Sequence, residues 1–339
     1  MIDYITAKFP CEHDFTTIPQ FRARYAIARL KKNSTSLEVK SVGNGSHLVI
    51  SGNPVKFLQG HNIFGSNDLQ GLCRDLFALV TKELNITVSR KDQQAISAGR
   101  YSLSRVDLAA NFRLSSREMV TKTIREIEWH WRELGFNVSN YGDKTVYRNQ
   151  YSKVEATKFY NKRREINANP LPEHILGSQA CNLLRKYADN FLRVEFTLRS
   201  PALKKLGLHK GLKWSIAKTQ TLIREKIASQ ALQREVKQFV LPSEYSQLKP
   251  ELRQIYHLWL QGNDLRLLFE ERTLHRRRKS LEKFNIEIKH PPSPYRISTV
   301  SLGALLSAEN LARRPKFAKR LGLIYVPSER PQSDNKLRM

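Results

Sequence analysis

Three short stretches carry side chains that could bind a metal ion, bind a phosphodiester and attack it. They are Leu103-Ser-Arg-Val-Asp107-Leu-Ala109, Ala156-Thr-Lys-Phe-Tyr160-Asn-Lys162 and Phe191-Leu-Arg-Val-Glu195-Phe-Thr197. Each alternates polar and apolar residues, the pattern of a strand with one face on a core. Arg105 and Asp107 then share a face, as do Lys158, Tyr160 and Lys162, and Arg193 and Glu195. If the strands join one sheet, its polar side holds two carboxylates, a phenol and several cations. Asp107 and Glu195 offer hard oxygens suited to Mg2+ or Mn2+, which take one or two carboxylates and complete their shell with water and phosphate. Tyr160 could be a nucleophile. A free phenol has a pKa of about 10, so Lys158 and Lys162 are expected to favour its phenolate and to hold a phosphate oxygen.

Glu165 is either a third acid of the site or a charge near a helix N-terminus. His61, followed by Asn62, could contact DNA, bind metal or cap a turn. The nine histidines include no His-x-His pair. A Gly-x4-Gly-Lys-Ser/Thr loop, Gly-x-Ser-x-Gly and His-Glu-x-x-His are all missing, which argues against an ATP-driven helicase and two hydrolase classes.

The elements that must position these groups read as an α+β fold with a largely antiparallel sheet. β-type segments run from Ile2 to Phe9, Leu37 to Val42 and His47 to Ser51, with Gly43-Asn44-Gly45 turning the last two into a hairpin. Asn53 to Gly65 is turn-rich. Asp68 opens an amphipathic helix, and a second runs from Ser116 to Leu134 with Val120, Ile124, Ile127 and Trp131 on one side. Thr145 to Tyr147 should pair with Ala156 to Tyr160. The pattern assigns residues 1–212 to this α+β domain, which the resemblance given below implies is a nicking domain, 213–248 to a basic helical linker that includes a helix over 214–239, and 249–295 to a helix-turn-helix-like unit. Residues 296–339 form a C-terminal segment whose last ten are expected to be disordered.

The 339 residues carry 58 Lys and Arg against 31 Asp and Glu, a net charge of +27. A surface this basic binds polyanions through counterion release. The third helix of the C-terminal unit, with Arg276, Arg277, Arg278 and Lys279 mostly outward, is the expected duplex contact. Arg105, Arg193 and Lys158 on the sheet and His61-Asn62 are the other candidate DNA contacts. No apolar run approaches the ~20 residues of a membrane span, so no membrane partner is expected. Three widely separated cysteines, Cys11, Cys73 and Cys181, suit a reducing compartment and unreactive thiols.

The string Leu58-Gln-Gly-His-Asn-Ile-Phe-Gly65, with Ser104-Arg-Val-Asp107, Tyr160-Asn-Lys-Arg-Arg-Glu165 and Leu192-Arg-Val-Glu195 in that order, closely resembles the filamentous-phage gene II type replication initiators. The likeness covers residues 1 to about 210, and more loosely Leu265 to Ile288, where Vibrio phage relatives are also similar. It implies a rolling-circle initiator that nicks one strand at the phage origin, stays joined to the 5′ phosphate through a tyrosine, and later rejoins the ends. By that motif the nucleophile falls on Tyr160 with Lys162 beside it, and an acidic metal site falls on Asp107 and Glu195. Tyr147 and Tyr151 lie close upstream, so the motif does not single out one tyrosine. The implied partners are double- and single-stranded origin DNA and the host replication helicase and polymerase, in the cytoplasm of a bacterial host. A plasmid mobilisation relaxase and a non-catalytic origin-binding repressor are the alternative readings.

Overall fold

The computed structural model describes residues 1–21, 26–32, 35–230, 235–239, 243–289 and 297–328. In chain order the first part contains β1 (Ile2–Pro10), β2 (Ile27–Lys32), β3 (Thr35–Val42), β4 (His47–Gly52), α1 (Pro54–Gln59), α2 (Leu69–Glu83), α3 (Arg90–Ser97) and β5 (Ser102–Arg113). It continues with α4 (Arg117–Glu133), β6 (Val138–Asn140), β7 (Thr145–Arg148), β8 (Glu155–Asn161), α5 (Lys162–Ala168), α6 (Glu173–Leu176), α7 (Ser178–Tyr187), β9 (Phe191–Arg199), α8 (Ser200–Lys205) and α9 (Ile216–Ala228). These nine strands join one antiparallel sheet, ordered β2-β3-β4-β1-β5-β9-β8-β7-β6. This is the α+β class that the alternating patterns predict. The three stretches with chemical potential become neighbours, β5 beside β9 beside β8.

Local sequence sets the helices that flank the sheet. Asp68 caps α2 by accepting from Gly71 N, and Ser116 caps α4 by accepting from Met119 N. Both helices cover the apolar sheet face. Phe77 of α2 meets Phe9 with ring centroids 5.2 Å apart, and Trp131 of α4 meets Phe159 at 5.5 Å. Cross-strand pairs Val106↔Leu198, Leu108↔Phe196 and Val194↔Phe159 complete this layer. The stretch from Asn53 to Gly65, expected as turns only, contains α1, capped by Asn53 with Pro54 in its first turn. Gly60 ends α1 at φ 86°, and a Cβ there would press on Leu176 at 3.2 Å. That left-handed residue sends the chain back across the opposite, polar face.

A second core closes one end of that polar face. Phe191 of β9 packs with Ile63, Phe64, Ile166, Cys181 and Leu184, and also with Ala318 and Leu323 from the far end of the chain. The chain divides into two compact units, one of residues 1–232 and 306–339 and one of residues 233–305. After α9, the second unit holds β10 (Glu235–Phe239), α10 (Pro250–Leu260), α11 (Leu265–Leu268), α12 (Glu271–Glu282), β11 (Ile297–Ser301) and α13 (Leu302–Leu305). The helix expected over 214–239 therefore stops at Ala228, and Glu235–Phe239 pairs as a strand with Ile297–Ser301. Leu252, Ile255, Trp259, Leu274 and Leu281 build this unit's own core. The basic helix starts at Glu271 rather than after Thr273, so Arg276 and Lys279 stay exposed while Arg277 lies 5.0 Å over the Phe269 ring.

The chain then returns to the first unit as a strap that includes α14 (Lys316–Arg320). Leu311 bridges to Phe112, Ala312 N donates to Asn111 O at 2.9 Å, and Tyr325 N donates to Gln59 Oε1 at 2.9 Å. The ten residues expected to be disordered lie outside the described ones. All three cysteines are free and buried, and burial pushes the Cys11 and Cys73 thiols up to about 12. Among the described residues no helix is long and apolar enough to cross a membrane. Trp131 is fully buried. Trp131→Ala should cost about 3–5 kcal/mol, read as a lower urea midpoint at unchanged slope.

Candidate active site

The strand registers bring the expected polar residues to one face. Lys158 pairs with Glu195, Tyr160 with Arg193, and Asp107 with Thr197 on one side and Tyr4 on the other. Tyr147 joins the same face opposite Lys158. The Tyr160 hydroxyl donates to Glu195 Oε1 at 2.8 Å. Arg193 Nε donates to the same oxygen at 2.9 Å, and Lys158 Nζ is 3.6 Å from Glu195 Oε2. Asp107 takes both forks of Arg105, at 2.9 and 2.6 Å.

Arg193 is the hub beneath these groups. It has no exposed surface, and its other two contacts run to Asn62 O at 2.7 Å and to Asp3 Oδ1 at 2.6 Å. The same Asp3 oxygen accepts from Asn53 at 2.9 Å and from Asn62 at 3.0 Å. Lys162, also fully buried, donates to Asn62 Oδ1 at 2.7 Å and to Glu165 Oε2 at 2.6 Å. Asn62 therefore meets both buried cations, Arg193 through its backbone carbonyl and Lys162 through its side-chain oxygen.

Several expected roles change once the partners are visible. Lys162 is the first residue of α5, behind the Asn161 cap, so it leaves the strand face it was expected to share with Tyr160. Its nitrogen is 6.0 Å from the Tyr160 ring centre and engages Asn62 and Glu165 instead. His61 is fully buried and bonds through Nε2 to Leu323 O at 3.0 Å. His61, Lys162 and Arg193 have no surface to offer DNA in this arrangement; they position the loop and the sheet. Asn62 has its side chain committed at both ends. Lys158 and Arg105, about one-third exposed, are cations of this face that reach solvent.

Burial raises the Tyr160 phenol well above its ordinary value, and Arg193 only partly offsets this. The resting site therefore holds a neutral phenol bonded to a carboxylate, not the phenolate expected from the flanking lysines. Burial also lowers Lys162, with Arg193 pushing the same way. Asp107 is pushed up to about 6 by burial in spite of Arg105. For Asp3 burial works upward, but Arg193, Lys162 and the Asn62 hydrogen bond carry the carboxyl down to about 2.

Asp3 is the residue that sequence reasoning missed. By alternation it belongs with Ile5, Ala7 and Phe9 on the apolar face. A register shift between Ile2 and Tyr4 breaks the alternation, and Asp3 meets Arg193 on the other side. An acid at an apolar register position was the available signal. Among the described residues no three His, Cys, Asp or Glu side chains form a group able to hold a metal ion. Each of the three carboxylates expected to hold a metal is ion-paired here, Glu165 with Lys162, Asp107 with Arg105 and Glu195 with Arg193 and Lys158.

The family described as replication-associated protein of the gene II type, N-terminal, matches residues 1–217, and the chain belongs to that family. It is 29% identical over 308 residues to the replication-associated protein of this type from Enterobacteria phage I2-2, covering 85% of this chain and 88% of that one. A rolling circle replication initiator protein from Geobacillus stearothermophilus aligns with 66% of this chain and 78% of its own at 12% identity, with a TM-score of 0.27.

The Asp3 carboxyl is lower in the fold than its ordinary 3.8. Its stabilisation is therefore complete above about pH 4 and is lost as pH falls through about 2. Asp3→Asn should cost about 2 kcal/mol at pH 7, and denaturant titrations below pH 4 should show wild type and variant converging.

Proposed function

We propose that the chain initiates rolling-circle replication by nicking one DNA strand and later rejoining it, with Tyr160 as nucleophile. The observation that carries this reading is the Tyr160–Glu195 hydrogen bond within a face lined by Lys158, Arg105 and Asp107. Tyr151 is 82% exposed, and Tyr147 lies one strand away, opposite Lys158. The Tyr160 oxygen attacks the phosphorus, forming a phosphotyrosine bond as the bond to the 3′ oxygen breaks. Its proton passes to Glu195 and from there to the departing 3′ oxygen, so atoms and charge balance. In the reverse step the 3′ hydroxyl attacks the phosphotyrosine, and sealing needs no nucleotide.

Tyr160 is 4% exposed and Lys158 lies 4.0 Å over its ring. A scissile phosphate would reach the hydroxyl as the flexible Lys158 side chain swings onto it, offsetting charge on the phosphorane. Asp107 and Glu195 would hold a divalent cation, which when bound would polarise the phosphate. The basic α12 would supply duplex affinity. Host helicase and polymerase would act on the exposed 3′ end and the displaced strand.

Supercoiled origin DNA with Mg2+ should give a nicked circle and a covalent adduct mapping to Tyr160. Tyr160→Phe should lose both, by at least about 10³-fold given what nucleophile removal costs related chemistry; full nicking by that variant, or an adduct on Tyr147 or Tyr151, would overturn the assignment. Asp107→Ala and chelation by EDTA should stop nicking while duplex binding persists. Replacing Arg276 and Lys279 with Ala should weaken duplex binding and flatten its salt dependence, by about 0.9 in log–log slope for each phosphate no longer neutralised.

A further inference from the structure

The loop that carries Asn62 is unlike an ordinary surface connection, whose carbonyls face water. All six carbonyls of residues 61–66 accept hydrogen bonds, at 2.6–3.0 Å. Gln59 donates to two of them, His61 O and Phe64 O. Arg193 donates to Asn62 O, Asn111 to Ile63 O, Arg314 to Gly65 O and Ile2 N to Ser66 O. The strap grips the same loop from outside: Tyr325 N donates to Gln59 Oε1, and His61 Nε2 meets Leu323 O. Leu323 offers only an acceptor there, so Nε2 carries the imidazole proton. Burial holds His61 down at about 4, so the ring is neutral. Nδ1 is left to accept from Gln59 Nε2 and Ile63 N, each at 3.4 Å.

A continuous run of contacts therefore leads from the strap to the phenol. Leu323 and Tyr325 hold His61 and Gln59, and these fix the loop at Asn62. Asn62 O receives Arg193 at 2.7 Å, and Arg193 sets Glu195 Oε1, the acceptor of the Tyr160 hydroxyl. Arg193 is out of reach of water, so a displaced Asn62 either moves the guanidinium or leaves it short of a partner. We propose that Gln59 and His61 are positioning residues for the Tyr160 reaction, and that the strap, encoded after the second unit, is a working part of the site. They act by holding the Glu195 oxygen where the phenol must aim. The inference rests on Tyr160 as the nucleophile.

The test uses the full chain with two matched substitutions. His61→Phe and Tyr187→Phe each remove one hydrogen bond to a strap carbonyl, at Leu323 and at Arg313, but only His61 lies on the run to Tyr160. Both should lower the urea midpoint. The nicking rate at saturating origin DNA should fall about 10²-fold in His61→Phe with KM unchanged, and stay at the wild-type value in Tyr187→Phe. His61→Gln, whose amide nitrogen replaces Nε2 as donor, should recover most of the loss. In nitrogen–proton correlation spectra the protected Arg193 Nε–H resonance should shift in His61→Phe and hold in Tyr187→Phe. Equal rate losses in the two Phe variants, or an unmoved Arg193 resonance in His61→Phe, overturns the proposal. Where His61→Phe does not fold, Gln59→Leu, at a half-buried position, carries the same comparison. The spectra need no DNA, so a wild type that forms no Tyr160 adduct sinks the nucleophile reading alone, while the resonance still decides the coupling.

Discussion

A guanidinium with no access to water organises this molecule. Arg193 would cost several kcal/mol to bury alone, and each of its contacts recruits a different part of the chain. Asp3 brings β1, Glu195 extends β9, and the Asn62 carbonyl draws the α1–α2 loop down onto the sheet. Because Glu195 is shared with Tyr160, the phenol's hydrogen-bond partner is aimed by the same cation. Removing Arg193 would free two carboxylates and a loop at once, which is why stability and chemistry cannot be separated at this point.

The rest of the polar face follows the same rule of local neutralisation. Asp107 is matched by Arg105, Glu195 by Arg193 and Lys158, and Lys162 by Glu165. A chain with a net charge of +27 thus keeps its reactive face nearly balanced and carries much of its excess positive charge elsewhere, with Arg276 and Lys279 of α12 exposed to solvent. That division sets a face of nearly balanced charge within a broadly cationic molecule that attracts polyanions.

Much of this was legible in the sequence because period-two alternation is a strong local signal. It placed Asp107, Tyr160 and Glu195 on one face and Val106, Phe159 and Val194 on the other, and the registers agree. The caps at Asp68 and Ser116 were equally plain. Alternation fails where the strand is irregular, so the bulge hid Asp3. It also says nothing of where a strand ends, and Lys162 was carried one residue too far. Contacts between distant positions leave no local trace. Neither the strand pair Glu235–Phe239 with Ile297–Ser301 nor the hydrogen bond from His61 to Leu323 could be read from spacing.

The strap has a consequence for how the protein is made. His61 is tied to Leu323, 262 positions later in the chain, and Gln59 to Tyr325, 266 positions later. Translation runs from the N-terminus, so the sheet can assemble on the ribosome long before its last partner emerges. Until then the loop carrying Asn62 lacks its outer clamp, and the cations it steers are less firmly placed. A chain still being synthesised would therefore own its Tyr160–Glu195 hydrogen bond before the loop beside it was clamped.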